Sequence, residues 1–278
     1  MNFKRLLLIC ALLSSLAAST QAYKIIYDFR WRTEEHSKDY NSELTVLLKH
    51  GEISYFEALG KFKYDSLKTK LVNEGVRGFP GPKHQWKLQT LIHKDLKSQT
   101  VTAEENFFDK VYLTTFRCKQ QWKILPEKNK LFNYNAQKAQ TDFGGRRWTA
   151  WFTNEIPISD GPYKFYGLPG LILKITDSEE HFIFEIKGLT KEQNNIDERN
   201  AYTAKVKLTP GQWETFWTKY QKDPSMVFAN LNSPNATFTY VYNSKNVDSK
   251  EAKEAYNKVE REKIEAFRIP IELKLCDY

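Results

Sequence analysis

The sequence predicts an α+β fold: mainly an antiparallel β-sheet, arranged as a meander with an open half-barrel as one available geometry, and two C-terminal helices packed on or beside it. Three observations predict it. Apolar residues recur at period two in many short segments, which is the strand spacing. Turn residues, with few intervening helices, separate those segments, as an antiparallel meander requires. Two later segments change to helical spacing behind recognisable start signals.

The strongest strand signal is YKIIYDFRWR at 23–32. Tyr23, Ile25, Tyr27, Phe29 and Trp31 share one face, and Lys24, Asp28, Arg30 and Arg32 the other. Leu44, Val46 and Leu48 approach His50-Gly51, and Ile53 and Tyr55 leave it, which predicts a hairpin. A short helix is expected near 64–73, and GFPGP at 78–82 reads as a connector. Strand patterns follow at 85–94, 110–116, 121–125, 131–139, 147–153, 171–176, 181–188 and 202–208. Thr209-Pro210-Gly211-Gln212 is a capping box with proline at the first helical position. Behind it Trp213, Phe216, Trp217 and Tyr220 recur at helical spacing, which predicts an aromatic stripe laid against the sheet. Pro224 ends that helix, and 249–267 predicts a second, highly charged one. Phe238, Tyr240 and Tyr242 alternate like a strand between the two, and a last strand is expected at 269–275.

The first residues place Lys4 and Arg5 before an apolar run, Leu6 to Leu16, and Thr20-Gln21-Ala22 supplies small residues at cleavage spacing. This pattern predicts a secretory signal peptide over 1–22 and a single domain over 23–278, periplasmic or secreted after cleavage near Ala22. No later stretch is long and apolar enough for a membrane helix. The net charge of +8 would fall to +6 with the loss of Lys4 and Arg5. No long basic block is present, so dispersed surface lysine is the expectation rather than a nucleic-acid site, although a basic face suits an acidic partner. Cys118 and Cys276 would meet an oxidising compartment. A disulfide between them and two buried free thiols are equally consistent with the sequence. Asn235-Ala236-Thr237 matches a short glycosylation pattern.

DGPYKFYGLPGLILKI, 160–175, bends twice and then becomes apolar. Asp160-Gly161-Pro162 is expected to stop the preceding strand. Leu168-Pro169-Gly170-Leu171 fits a type II turn, with Gly170 at positive φ. Gly167 would allow a close backbone approach. Because this glycine-containing loop opens a strand, it does not suit phosphate binding at a helix start.

The same residues carry a resemblance. Gly167-Leu168-Pro169-Gly170-Leu171-Ile172 spells the hexapeptide that names the GLPGLI family of exported Bacteroidota proteins. Gly145-Arg146-Arg147-Trp148-Thr149-Ala150-Trp151-Phe152 resembles its Gly-Arg segment. Glu155-Ile156-Pro157-Ile158 with Gly161-Pro162 and Phe165 resembles the segment between. Ala136 stands where the family often has a cysteine. The resemblance implies no established chemistry, and it implies an association with outer-membrane TonB-dependent receptors.

Motifs for serine hydrolases, zinc proteases, nucleotide loops and calcium loops are absent, and the five histidines are scattered, so no metal or cofactor is expected. The candidate groove or structural motif comprises Arg146, Arg147, Trp148, Trp151, Asp160, Gly161, Pro162, Phe165, Gly167, Leu168, Pro169 and Gly170. An aromatic-lined groove with arginine at its rim would take a peptide or apolar chain, and exposed sheet edges would permit strand addition. The resulting expectation is a non-enzymatic exported binding or accessory protein, with an outer-membrane receptor or exported peptide as partner. The alternatives are a hydrolase with non-local catalytic residues and a structural envelope protein without ligand.

Overall fold

The computed structural model describes residues 21–76, 86–117, 119–192, 204–229, 231–232 and 239–275. In chain order the elements are β1 (Ala22–Trp31), β2 (Asn41–His50), β3 (Ile53–Ala58), α1 (Leu59–Asn73), β4 (Leu91–Asp95), β5 (Thr100–Phe107) and β6 (Lys110–Phe116). Next come β7 (Lys123–Leu131), β8 (Tyr134–Phe143), β9 (Arg146–Thr153), β10 (Leu171–Asp177), β11 (Phe182–Glu192) and β12 (Ala204–Leu208). The chain continues through α2 (Pro210–Lys222), a 3₁₀ turn (Pro224–Phe228), β13 (Val241–Tyr242), β14 (Lys245–Asn246) and α3 (Lys250–Glu265).

Strands β1 to β12 form one sheet in the order β12-β6-β5-β4-β3-β2-β1-β11-β10-β9-β8-β7. Two meanders are thus joined by the β1–β11 pair. Every pairing is antiparallel except β12 on β6, which is parallel. The sheet is mixed and does not close. It nevertheless curls: Phe56 on β3 meets the Phe184 ring on β11 at 5.9 Å, although three strand spacings in a flat sheet would separate them by about 14 Å. Tyr27, Phe29, Trp31, Phe56, Trp148, Phe182 and Phe184 make this face the main core. On the opposite face α1 covers Val46 and Leu48 through Leu59 and Phe62.

The period-two pattern of 23–32 appears as an alternation of buried Ile25, Tyr27, Phe29 and Trp31 with half-buried neighbours. The 44–55 hairpin forms with His50 opposite Ile53. The capping box also forms, with Thr209 accepting from Gln212 N. Other expectations change. The strand expected at 85–94 is confined to Leu91–Asp95. Strand β5 gave no clean sequence signal, because Glu105 occupies its core-facing row between Ala103 and Phe107. Residues 269–275 are irregular rather than a strand. The carbonyls of Pro270 and Ile271 accept from the Arg146 guanidinium, and Leu273 N donates to Gly144 O, so this backbone is satisfied without a strand partner. Of the strand expected around Phe238–Tyr242, Phe238 lies outside the described residues, Thr239 and Tyr240 are irregular, and only Val241–Tyr242 forms a strand, β13.

Helix α2 does not lie across the sheet face. Its stripe packs beside the sheet, against Phe107 and Tyr112 at the ends of β5 and β6 and against the 3₁₀ turn and α3, forming a second small core. Its anchor is Tyr220, which is buried, whereas Trp217 is only partly buried.

Candidate functional site

The loop between β9 and β10 folds back onto the main core face. Ile156, Ile158, Tyr163, Phe165, Tyr166 and Leu168 are all buried. Phe165 sits on Trp148, with ring centroids 4.7 Å apart, and edge-on to Phe143 at 5.3 Å. Gly161 is glycine because a Cβ there would lie 2.7 Å from Ile172 Cδ1. The 168–171 segment is not a type II turn. Gly170 N donates to Leu168 O at 2.8 Å, closing a three-residue turn on Pro169, while Leu171 N donates to Ile156 O. The decisive constraint at Gly170 is contact: a Cβ would fall 2.0 Å from the Thr153 carbonyl oxygen, which is backbone and cannot swing aside.

This loop carries Asp160 into the interior. Lys94 on β4 donates to Gly161 O at 2.6 Å and lies 2.5 Å from Asp160 Oδ1, and neither side chain is exposed. Lys49 Nζ stands 3.7 Å from Oδ2. The register sets Lys49 opposite Ser54 and Ser54 opposite Lys94, so three polar residues cross β2, β3 and β4 in one row. Desolvation lowers the pKa of both lysines, only partly opposed by Asp160. Burial, with Asp160 second, pushes the Tyr27 phenol well above its usual range.

A second polar cluster holds the C-terminal segment. Lys164 lies 2.6 Å from Glu272 Oε1, which also accepts from Tyr163 OH at 2.5 Å. Nearby, the half-buried Glu105 accepts from Thr90 Oγ1 at 2.5 Å, and desolvation pushes its carboxyl up to about 7. At the β8–β9 turn Arg146 is buried, 3.3 Å from Asp177 Oδ2, and donates to Ile271 O and Pro270 O. His181 Nδ1 lies 3.8 Å from the same Asp177 oxygen.

Outside this buried framework, the β8–β9 turn, residues 117 and 119, Ser178 and the segment around Lys274 enclose a cleft of about 730 Å³. The turn is Gly144-Gly145, both at positive φ, and the C-terminal segment seats directly on it: a Cβ on Gly144 would meet Glu272 Cγ at 2.8 Å. Among the described residues, no group of three His, Cys, Asp or Glu side chains is placed to hold a metal ion.

The residues singled out from sequence therefore separate. Trp148, Asp160, Gly161, Pro162, Phe165, Leu168 and Gly170 are buried in the core, and Trp151 packs half-buried against it. Gly167 and Pro169 reach the surface. They do not line an open aromatic groove, because the loop itself fills the space over the sheet. Arg146 and Arg147 do meet at the cleft, where Arg147 pairs with Asp142 at 3.0 Å. Lys49, Lys94, Lys164, Asp177 and Glu272 were missed. The available signal was a lysine at a core-facing position, as Lys49 follows Leu47 and Lys94 follows Ile92. Cys118, Cys276, Asn235 and residues 1–20 and 78–82 lie outside the described residues. Their described chain neighbours Arg117, Lys119 and Leu275 line the cleft.

No helix among the described residues is long and apolar enough to cross a membrane. Residues 144–174 match a family described as protein of unknown function (Porph_ging). That stretch runs from the β8–β9 turn through the buried loop into β10. No curated protein matches the chain. Two crystal forms of PNGF-II are similar in structure, with TM-scores of 0.51 and 0.50 at 17% and 16% identity. Each likeness covers 72% of this chain, and 34% and 33% of the PNGF-II chain respectively. This chain thus spans about a third of the PNGF-II length, and at such identity the likeness is one of fold.

Proposed function

We propose that this is an exported binding or accessory protein of the GLPGLI type, with its ligand or partner site at the cleft between the β8–β9 turn and the C-terminal segment. The carrying observation is how the cleft is built. Two glycines and a buried arginine dock the C-terminal segment on the turn, leaving a solvent-open concavity in the size range of ligand sites. The matched stretch, 144–174, contains both the Gly-Arg segment and the hexapeptide, which supports the family reading. On this reading the hexapeptide is architectural. It plugs an open, half-barrel-like sheet and so positions the cleft, and an outer-membrane receptor or exported peptide is the expected partner.

A photoreactive residue replacing Lys119 or Lys274 tests the site in intact cells, with Lys187 on β11 as a distant, half-exposed control. Crosslinks concentrated at the cleft positions are expected. Equal labelling at Lys187, or none anywhere, overturns the reading. Intact mass of the protein recovered from the periplasmic fraction tests export, with a chain starting at Tyr23 expected and retention of 1–22 the refuting result.

A further inference from the structure

We infer that the cleft binds a ligand carrying at least two negative charges on a phosphoryl group. This deepens the site assignment above and rests on it. The charge of the lining points there. Arg117, Lys119, Arg147 and Lys274 are exposed around the opening, and Arg146 forms its base. Arg146 is neutralised by Asp177 and Arg147 by Asp142. Arg117, Lys119 and Lys274 have no ion pair among the described residues, and the one carboxylate lining the cleft there, Asp142, is already paired with Arg147, so about three positive charges of the described residues face one concavity without a partner. Such a concentration raises the local density of anions and favours multivalent ones.

A carboxylate would neutralise one of these charges, whereas a phosphate monoester carries about −1.5 to −2 at neutral pH and presents three acceptor oxygens. The planar fork of Arg117 suits two of those oxygens, and the two lysines act as point charges beside it. Dispersed surface lysine would put comparable charge on every face. Here the cations come from three separate chain segments, after β6, at the β8–β9 turn and near the C-terminus, and converge only in the folded chain. The phosphoryl group has two available sources, a soluble phosphorylated molecule or an anionic lipid headgroup.

Titration calorimetry with inorganic pyrophosphate, and flotation with phosphatidylcholine vesicles with or without phosphatidic acid, test the inference on the full chain. The cleft variant is Arg117→Gln, Lys119→Gln and Lys274→Gln together, all at exposed positions. Lys63→Gln, Lys68→Gln and Lys70→Gln on α1 remove the same charge elsewhere. Loss of three charge-assisted contacts is expected to weaken pyrophosphate or vesicle binding about 100-fold in the cleft variant, and less than about twofold in the control. Binding should also weaken as salt rises. Pyrophosphate binding without vesicle binding supports a soluble ligand, and the reverse supports a headgroup. Wild-type protein that binds neither probe, a cleft variant that binds as well as wild type, or equal losses in both variants overturns the inference. If neither probe binds but crosslinks still concentrate at 119 and 274, only the ligand class has failed.

Discussion

Replacing Asp160 by Asn removes the charge that holds the β9–β10 loop inside the sheet. Lys94 Nζ lies 2.5 Å from Asp160 Oδ1, and both side chains are fully buried. The variant keeps an oxygen for Lys94 but leaves an ammonium group without its counter-charge, next to a second lysine at position 49. Breaking a buried pair by removing one partner costs about 3–5 kcal/mol, and the retained oxygen places this change near the lower end, about 3 kcal/mol. For a chain of this size that lowers Tm by about 6–12 °C. Urea unfolding followed by tryptophan fluorescence measures it, and a loss below about 1 kcal/mol refutes the reasoning. Combining Asp160→Asn with Lys94→Met should cost less than the sum of the two by about 1 kcal/mol or more, because both remove the same interaction. The pH dependence has a definite sign. Desolvation already depresses the Lys94 pKa in the folded state, and loss of Asp160 depresses it further. The folded variant then releases the Lys94 proton at lower pH than the folded wild type does, so the deficit should shrink as pH rises from the variant's folded-state pKa to that of the wild type, itself below the ordinary lysine value, and stay level above it. A deficit that grows instead would show that Lys94 is not the group responsible.

Gly170→Ala should cost about 3 kcal/mol and Gly170→Asn at least as much, since either Cβ meets the Thr153 carbonyl. A much milder Asn variant in a melting experiment would mean that backbone conformation, not contact, fixes the glycine. Glu105, raised to about 7, stabilises the fold fully below pH about 4.5 and loses that contribution as pH rises through 7. Wild type should therefore lose about 2 kcal/mol between pH 5 and 8 that Glu105→Gln does not. Parallel pH–stability profiles for the two proteins would contradict this. Tyr220→Ala empties the second core, where its hydroxyl donates to Glu260 at 2.9 Å, and should cost about 3–5 kcal/mol. Trp217→Ala, at a partly buried position on the rim of that core, should cost visibly less in the same denaturation assay.

The elements legible in the sequence are those whose side-chain period matches their environment. Strand β1 alternates because one face of it is core, and the 209–212 capping box starts α2 because its hydrogen bonds are local. The antiparallel character followed from the short, helix-poor connections. The remaining features depend on partners far away in the chain. Strand β5 is a strand because β4 and β6 flank it, despite Glu105 in its core row. Residues 269–275 are not a strand, because Arg146, 124 and 125 residues away from the carbonyls it binds, satisfies backbone that a strand would otherwise have paired. Gly170 looked like a turn glycine, and its need for space comes from the carbonyl of Thr153. The ionic interior was illegible for the same reason. Lys49, Lys94 and Asp160 are unremarkable as letters, and only the curl of the sheet and the inward fold of one loop bring their charges within reach of one another.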